Sequence, residues 1–78
     1  MQIERRFSNM FRTGEAAHAF ETQVKGAAIE AGLSLGPCGT EDLGLPGIVV
    51  RLTVSGDSET LDRLAKRSFD GTMLERAG

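Results

Sequence analysis

The sequence contains no tryptophan or tyrosine, a single cysteine and a single histidine. One cysteine cannot form an intramolecular disulfide, so we expect the chain in a reducing compartment. With four phenylalanines as its aromatic residues, the core has to be built mainly from leucine, isoleucine, valine and alanine. One histidine and one cysteine also supply too few ligands for a zinc site. We therefore predict no metal and no other cofactor.

Long apolar runs are missing, and so is a strong excess of either charge. No apolar stretch approaches the roughly 18 residues of a membrane span, and the N-terminus lacks the cationic and apolar regions of a signal peptide. We expect no membrane association and a cytoplasmic location, which is the host cytoplasm if the protein is phage- or plasmid-borne. The formal net charge of −2 is far from the basic excess of nucleic-acid-binding domains, which disfavours direct nucleic-acid binding.

The chain has 78 residues, of which 40% are hydrophobic and 26% are charged. These proportions are ordinary for a globular protein, and the length predicts one domain over residues 1–78. A domain of this size typically has a stability of about 3–5 kcal/mol. At this size, binding to a partner protein or to a second copy of the chain often adds to the stability.

Three segments have the residue pattern of β-strands. They span residues 2–12, 33–36 and 48–54. In the first, Ile3, Phe7 and Phe11 fall on one face, although Arg5 and Asn9 interrupt it. The third has the heaviest apolar load, so we place it centrally in the sheet.

Two segments have the 3.6-residue periodicity of amphipathic helices. The first spans residues 14–31, with Thr13 as N-cap and Gly32 as the stop signal. The second runs from a cap at Asp57 or Ser58 to a stop at Gly71. The apolar stripe of the first helix is mostly alanine, which predicts a close approach to the sheet. In the second helix, Leu61, Leu64, Ala65 and Phe69 are expected on one face.

The elements follow the order β-α-β-β-α, and residues 72–76 add either a final strand or a tail. With a right-handed crossover, this order predicts two helices on one face of an antiparallel sheet. The expected fold class is α+β, a small two-layer sandwich. Its element order resembles that of ferredoxin-like regulatory and adaptor modules, a resemblance that fixes no function.

Few residues are candidates for chemistry. His18 is predicted on the helix face opposite the apolar stripe, and Cys38 lies between glycines in a GPCG stretch. A nucleophilic cysteine needs a nearby cation or a base, whereas the near neighbours Glu41 and Asp42 are acidic. The glycines form no phosphate-binding motif. We predict no enzymatic activity, and an enzyme using Cys38 remains the weaker alternative.

Two surfaces stand out as candidate binding sites. Residues 36–47 contain four glycines and both prolines and are predicted as a long loop that carries leucines beside acidic residues. The sheet face without helices is the second, because two arginines share it if the first and third strands are neighbours, with Glu4 and Thr53 nearby. The candidate partner-binding residues are Glu41, Asp42, Leu43 and Leu45 on the loop and Arg6 and Arg51 on the sheet.

These features together predict a non-enzymatic protein–protein interaction module, a small regulator or inhibitor of a larger intracellular protein. Phage- or plasmid-borne inhibitors of host defence and antitoxin-type proteins belong to this class. The alternative is a regulatory domain that forms a homodimer through its sheet and binds a small ligand at the glycine-rich loop. A short strand at the sheet edge, as residues 33–36 would be, also invites pairing with another chain.

Overall fold

The two longest strands of the chain pair along their whole length and form the centre of an antiparallel sheet. We obtained a computed structural model that describes residues 2–77. In chain order its elements are β1 (Gln2–Phe11), α1 (Gly14–Glu30), β2 (Ser34–Leu35), β3 (Gly39–Asp42), β4 (Ile48–Asp57), α2 (Ser58–Ala65), β5 (Ser68–Phe69) and β6 (Thr72–Met73). The β1–β4 register runs from Gln2 opposite Asp57 to Phe11 opposite Ile48.

Short segments complete the sheet on both sides of this pair. On the far side of β4, β3 pairs with its first half and β2 with residues near its end. On the far side of β1, the Ser8 N–H donates to the Glu75 carbonyl and the Ala77 N–H to the Arg6 carbonyl. The C-terminal segment is thus bridged to β1 at Phe7 and Arg76 without forming a regular strand, and of residues 72–76, which the sequence left open, only 72–73 form a strand, β6.

Both helices pack on the same face of the sheet. Their buried residues join those of β1 and β4 in one core, in which Phe7, Val24, Leu52 and Leu61 are almost fully buried. The fold is thus the predicted α+β class, and its strand order is compatible with a ferredoxin-like sandwich. The period-2 pattern of β1 and β4 put the same residues on the inner face as the sequence predicted.

The first helix begins and ends where the sequence signals indicated. The Thr13 side chain accepts a hydrogen bond from the Ala16 N–H, and Gly32 adopts a φ of 82° directly after the C-cap. A left-handed conformation of this kind suits glycine and stops the helix. Phe20 of α1 packs on Phe11 of β1, with ring centroids 4.9 Å apart.

The prediction that residues 36–47 form one long loop is wrong. Residues 39–42 form β3, because the first half of β4 has a free edge with which this segment pairs. Glu41 and Asp42 therefore lie on a strand, and the turn that follows is short. The strand β4 is also longer than predicted and continues to Asp57, since Gly56 adopts a φ of 153° and leaves room for Leu33.

The second helix is shorter than predicted. It ends at Ala65, and Phe69 lies on β5 instead of on the helix. The chain leaves the helix after its C-cap, Lys66, and Asp70 and Gly71, with φ values of 53° and 81°, form a tight hairpin turn between β5 and β6. Phe69 still reaches the core, where its ring meets Phe20 edge-on.

Asn9, which interrupts the apolar face of β1, fastens the C-terminal segment to the sheet. Its side chain is 4% exposed, and its Nδ2 donates to the Met73 carbonyl at 2.9 Å. Its Oδ1 accepts from the Glu75 N–H at 3.1 Å. A buried amide with both ends bonded satisfies two main-chain groups that lie outside the regular ladder.

The change Asn9→Ala should lower the free energy of unfolding by about 1–3 kcal/mol, because it removes two hydrogen bonds and leaves two part-buried main-chain groups without these partners. Urea denaturation of the variant measures this loss. The matched control is Gln2→Ala, an exposed amide on the same strand, which should change stability by less than about 0.5 kcal/mol. Equal losses in both variants would contradict the assigned role of Asn9.

Arg5, the second interruption of the apolar face, joins β1 to α2. Its side chain is 11% exposed and pairs with Asp62 of α2. The hydrogen bond from Arg5 holds the pKa of Asp62 below its ordinary value. The pair therefore stabilises the fold fully above the unfolded-state pKa of Asp62, and its contribution is lost as the pH falls through the lower folded-state value.

The change Asp62→Asn should destabilise the chain at pH 7, because it leaves the largely buried guanidinium of Arg5 without its carboxylate. The difference from the unaltered chain should shrink as the pH falls below the ordinary pKa of an aspartate, about 3.9, because the unfolded chain then takes up a proton that folded Asp62, with its lowered pKa, binds only at lower pH. Urea denaturation at pH 7 and at pH 3 gives both quantities. A difference that stays constant between these two pH values would exclude the ion pair as its cause.

Candidate functional site

The face of the sheet opposite the helices is the candidate site. The β1–β4 register sets Arg6 opposite Thr53 and Ser8 opposite Arg51. Residues directly opposite each other in an antiparallel pair project to the same side, so these four side chains form a compact square on the outer face. On β3, Glu41 lies opposite Val49 and therefore shares this face.

These residues line a shallow groove with a volume of about 750 Å³, which we call the sheet groove. The segment between β2 and β3 forms one side, and the C-terminal segment that pairs with β1 forms the other. Strands β1 and β4 provide its floor. The lining residues are Glu4, Arg6, Phe7, Ser8, Pro37, Cys38, Gly39, Thr40, Glu41, Arg51, Leu52, Thr53 and Ala77.

Four charged side chains follow one another diagonally across the sheet groove, in the order Glu4, Arg6, Arg51, Glu41. We call them the charged diagonal. Arg51 Nη1 contacts Glu41 Oε1 at 2.5 Å, and Arg6 Nη2 lies 3.8 Å from Glu4 Oε1. All four side chains are more than half exposed. Exposed pairs of this kind contribute at most about 1 kcal/mol each, so both arginines remain open to exchange their partner.

Cys38 lies at the side of the sheet groove and is half-buried against the core. Its thiol donates to the Gly36 carbonyl at 3.3 Å. His18 is exposed on α1, in the layer on the other face of the sheet. The hydrogen-bond partners of the thiol are thus the carbonyls of Gly36 and Thr53, and none of its contacts is to His18.

The turn between β3 and β4, residues 43–47, is built by local hydrogen bonds. The Asp42 Oδ1 accepts from the Gly44 N–H at 2.8 Å, and the Leu43 N–H donates to the Gly47 carbonyl at 2.8 Å. These hydrogen bonds place Leu45, which is fully exposed, at the tip of the turn. This turn lies at one end of the sheet, next to Met10 of β1.

The structure divides the six candidate residues between two neighbouring places. Arg6, Arg51 and Glu41 meet in the sheet groove, which the alternation in β1 and β4 had predicted for the arginines. Leu43 and Leu45 lie at the hairpin tip, and Asp42 serves mainly to cap the turn. Ser8 follows from the same alternation as Arg6, but the sequence carried no signal for Ala77, which reaches the groove through the pairing of residues 75–77 with β1.

No family model, curated protein or solved structure matches the chain. Between residues 2 and 77, none of the helices is both long and apolar enough to cross a membrane. Over the same residues, the acidic, histidine and cysteine side chains form no group of three that could hold a metal ion. The assignment of function therefore depends on the sheet groove and the hairpin tip.

The hairpin tip owes its shape to Gly47, which has a φ of 122° and packs against the Phe11 carbonyl. The change Gly47→Ala should lower the free energy of unfolding by about 1–3 kcal/mol, because a Cβ would overlap that carbonyl in a conformation that favours glycine. The matched control is Gly39→Ala, where a Cβ meets no atom within 4 Å. Thermal or urea denaturation compares the two, and a larger loss in the control would contradict this account.

Proposed function

We propose that this chain is a non-enzymatic protein-interaction module, a small regulator or inhibitor that binds a larger protein through the outer face of its sheet. The observation that carries the proposal is the continuity of this face. The sheet groove with its two arginines adjoins Met10, which is 47% exposed. Met10 in turn adjoins the hairpin tip with Leu45. Arginine and methionine are enriched at protein interfaces, where an apolar contact and a charged contact lie side by side.

The shape of the sheet groove favours a protein segment over a small molecule. Its volume lies within the range of small-ligand pockets, about 300–1,000 Å³, and this supports the second candidate, a regulatory domain for a small ligand. Such pockets, however, enclose most of their ligand behind apolar walls. The sheet groove is open to solvent on its outer side, and apolar groups as well as charged and hydroxyl side chains line it.

The charged diagonal disfavours one kind of self-association through this face, a homodimer whose two-fold axis passes through the centre of the diagonal. A homodimer is related by a two-fold axis, so each residue meets a residue of an identical patch. With the order acidic, basic, basic, acidic, a two-fold axis centred on the diagonal brings arginine onto arginine and glutamate onto glutamate. A partner of different sequence avoids this repulsion.

Site-specific crosslinking in the native host tests the proposal. A benzoyl-phenylalanine photocrosslinker in place of Thr53, on the groove floor, should capture a larger protein upon irradiation. The same group in place of His18, on the helical layer, is the matched control and should capture much less. Adding Arg51→Glu to the Thr53 probe should reduce the crosslinked product at least about fivefold, because a charge reversal at an interface is repulsive.

Two results would overturn the proposal. The first is equal capture from the Thr53 and His18 positions. The second is a product that contains two copies of this chain and no other protein, which would favour the homodimer of the second candidate. Light scattering of the purified chain, with a thermal-shift screen against metabolites, then tests that candidate directly.

A further inference from the structure

We infer that the sheet groove recognises an extended acidic segment of its protein partner, with two carboxylate side chains at positions i and i+2 bound by Arg6 and Arg51. This inference rests on the proposed function and specifies the chemistry of the partner. Three observations support it: the spacing of the two arginines, the weakness of their present ion pairs, and the groove floor itself. Over residues 2–77, that floor carries no charged side chain apart from the charged diagonal.

The spacing comes from the strand register. Arg6 is opposite Thr53 and Arg51 is opposite Ser8, so the arginines are diagonal neighbours on adjacent strands. Diagonal neighbours are about 7–8 Å apart. In an extended segment, side chains at i and i+2 project to the same side and are about 6.8 Å apart. Two carboxylates with this spacing match the two guanidinium groups one to one.

The arrangement of charges around the two arginines allows their present carboxylate partners to be replaced. Arg6 and Arg51 have their acidic partners on the outer ends of the charged diagonal, so each guanidinium keeps donors free toward the centre. The exposed pairs with Glu4 and Glu41 contribute little. Incoming carboxylates can therefore replace them, and charge-assisted pairs with arginine are the stronger kind of hydrogen bond.

The rest of the lining suits an acidic extended chain. Ser8 and Thr53 occupy the other diagonal of the square and offer hydroxyl groups to main-chain atoms of the bound segment. Among the residues that line the sheet groove, the carboxylates are Glu4 and Glu41, both at its ends. The floor between them is free of negative charge, which leaves the centre favourable for an anionic ligand.

Fluorescence anisotropy with synthetic peptides tests the inference on the purified, full-length chain. The probe is a labelled Gly-Ser-Glu-Ser-Glu-Ser-Gly peptide, and its matched controls are Gly-Ser-Gln-Ser-Gln-Ser-Gly and the isomer with adjacent glutamates, Gly-Ser-Ser-Glu-Glu-Ser-Gly. At low ionic strength the spaced peptide should bind about tenfold more tightly than the glutamine peptide. It should bind several-fold more tightly than the adjacent isomer, whose carboxylates point to opposite sides.

Protein variants assign this binding to the charged diagonal. Arg6→Gln and Arg51→Gln should each weaken binding of the spaced peptide about fivefold or more, whereas Arg12→Gln, an exposed arginine beyond the end of β1, should change it less than about twofold. Glu41→Gln should strengthen binding about threefold, because it frees Arg51 from its internal partner. Glu30→Gln on α1 makes the same change in net charge and should have no such effect.

The outcomes separate the inference from the proposed function. Equal affinities for the spaced and adjacent peptides, or unaltered binding by Arg6→Gln and Arg51→Gln, overturn the inference. If the Thr53 photocrosslinker nevertheless captures a larger protein, the proposed function stands with a partner of other chemistry. If the peptide preference holds and Glu41→Gln strengthens binding while Glu30→Gln does not, the acidic segment is supported.

Discussion

The uninterrupted pairing of β1 with β4 is the constraint on which the rest of this structure depends. Ten consecutive residue pairs fix which side chains face the helices and which face solvent, and a shift of one residue would exchange the two sets. In this register Phe7 and Leu52 are buried together, while Arg6 and Arg51 become diagonal neighbours on the opposite face. The hydrophobic core and the candidate binding surface are therefore two consequences of one alignment.

The same alignment explains why polar residues are tolerated among the inward-facing side chains of β1. Asn9 meets main-chain groups of the C-terminal segment, and Arg5 meets Asp62 of the second helix. Each joins β1 to an element that does not pair with β4. These two polar side chains therefore fix the positions of the C-terminal segment and of α2 through specific hydrogen bonds. Apolar side chains at the same positions would provide only nonspecific packing.

Residue periodicity was sufficient to predict the two long strands, the first helix and the sharing of one face by Arg6 and Arg51. It failed where partners far along the chain decide the structure. The segment that contains Glu41 has a weak strand pattern of its own and becomes β3 because β4 offers a free edge. Phe69 fits a helical face equally well, but the helix ends before it, and the turn at Asp70 and Gly71 places it in a hairpin. Ala77 lines the sheet groove because its segment is hydrogen-bonded to β1, a pairing that the local sequence pattern does not predict.

The division of the outer strand into β2 and β3 has a consequence for how molecules of this protein meet one another. Both segments are short, and Pro37 between them has no N–H to donate. A second chain laid along this edge would find its hydrogen-bond ladder broken after a few residues. Edges of this kind resist the open-ended, strand-by-strand growth that produces fibres. The interrupted edge therefore disfavours the pairing with another chain that a short edge strand was expected to invite.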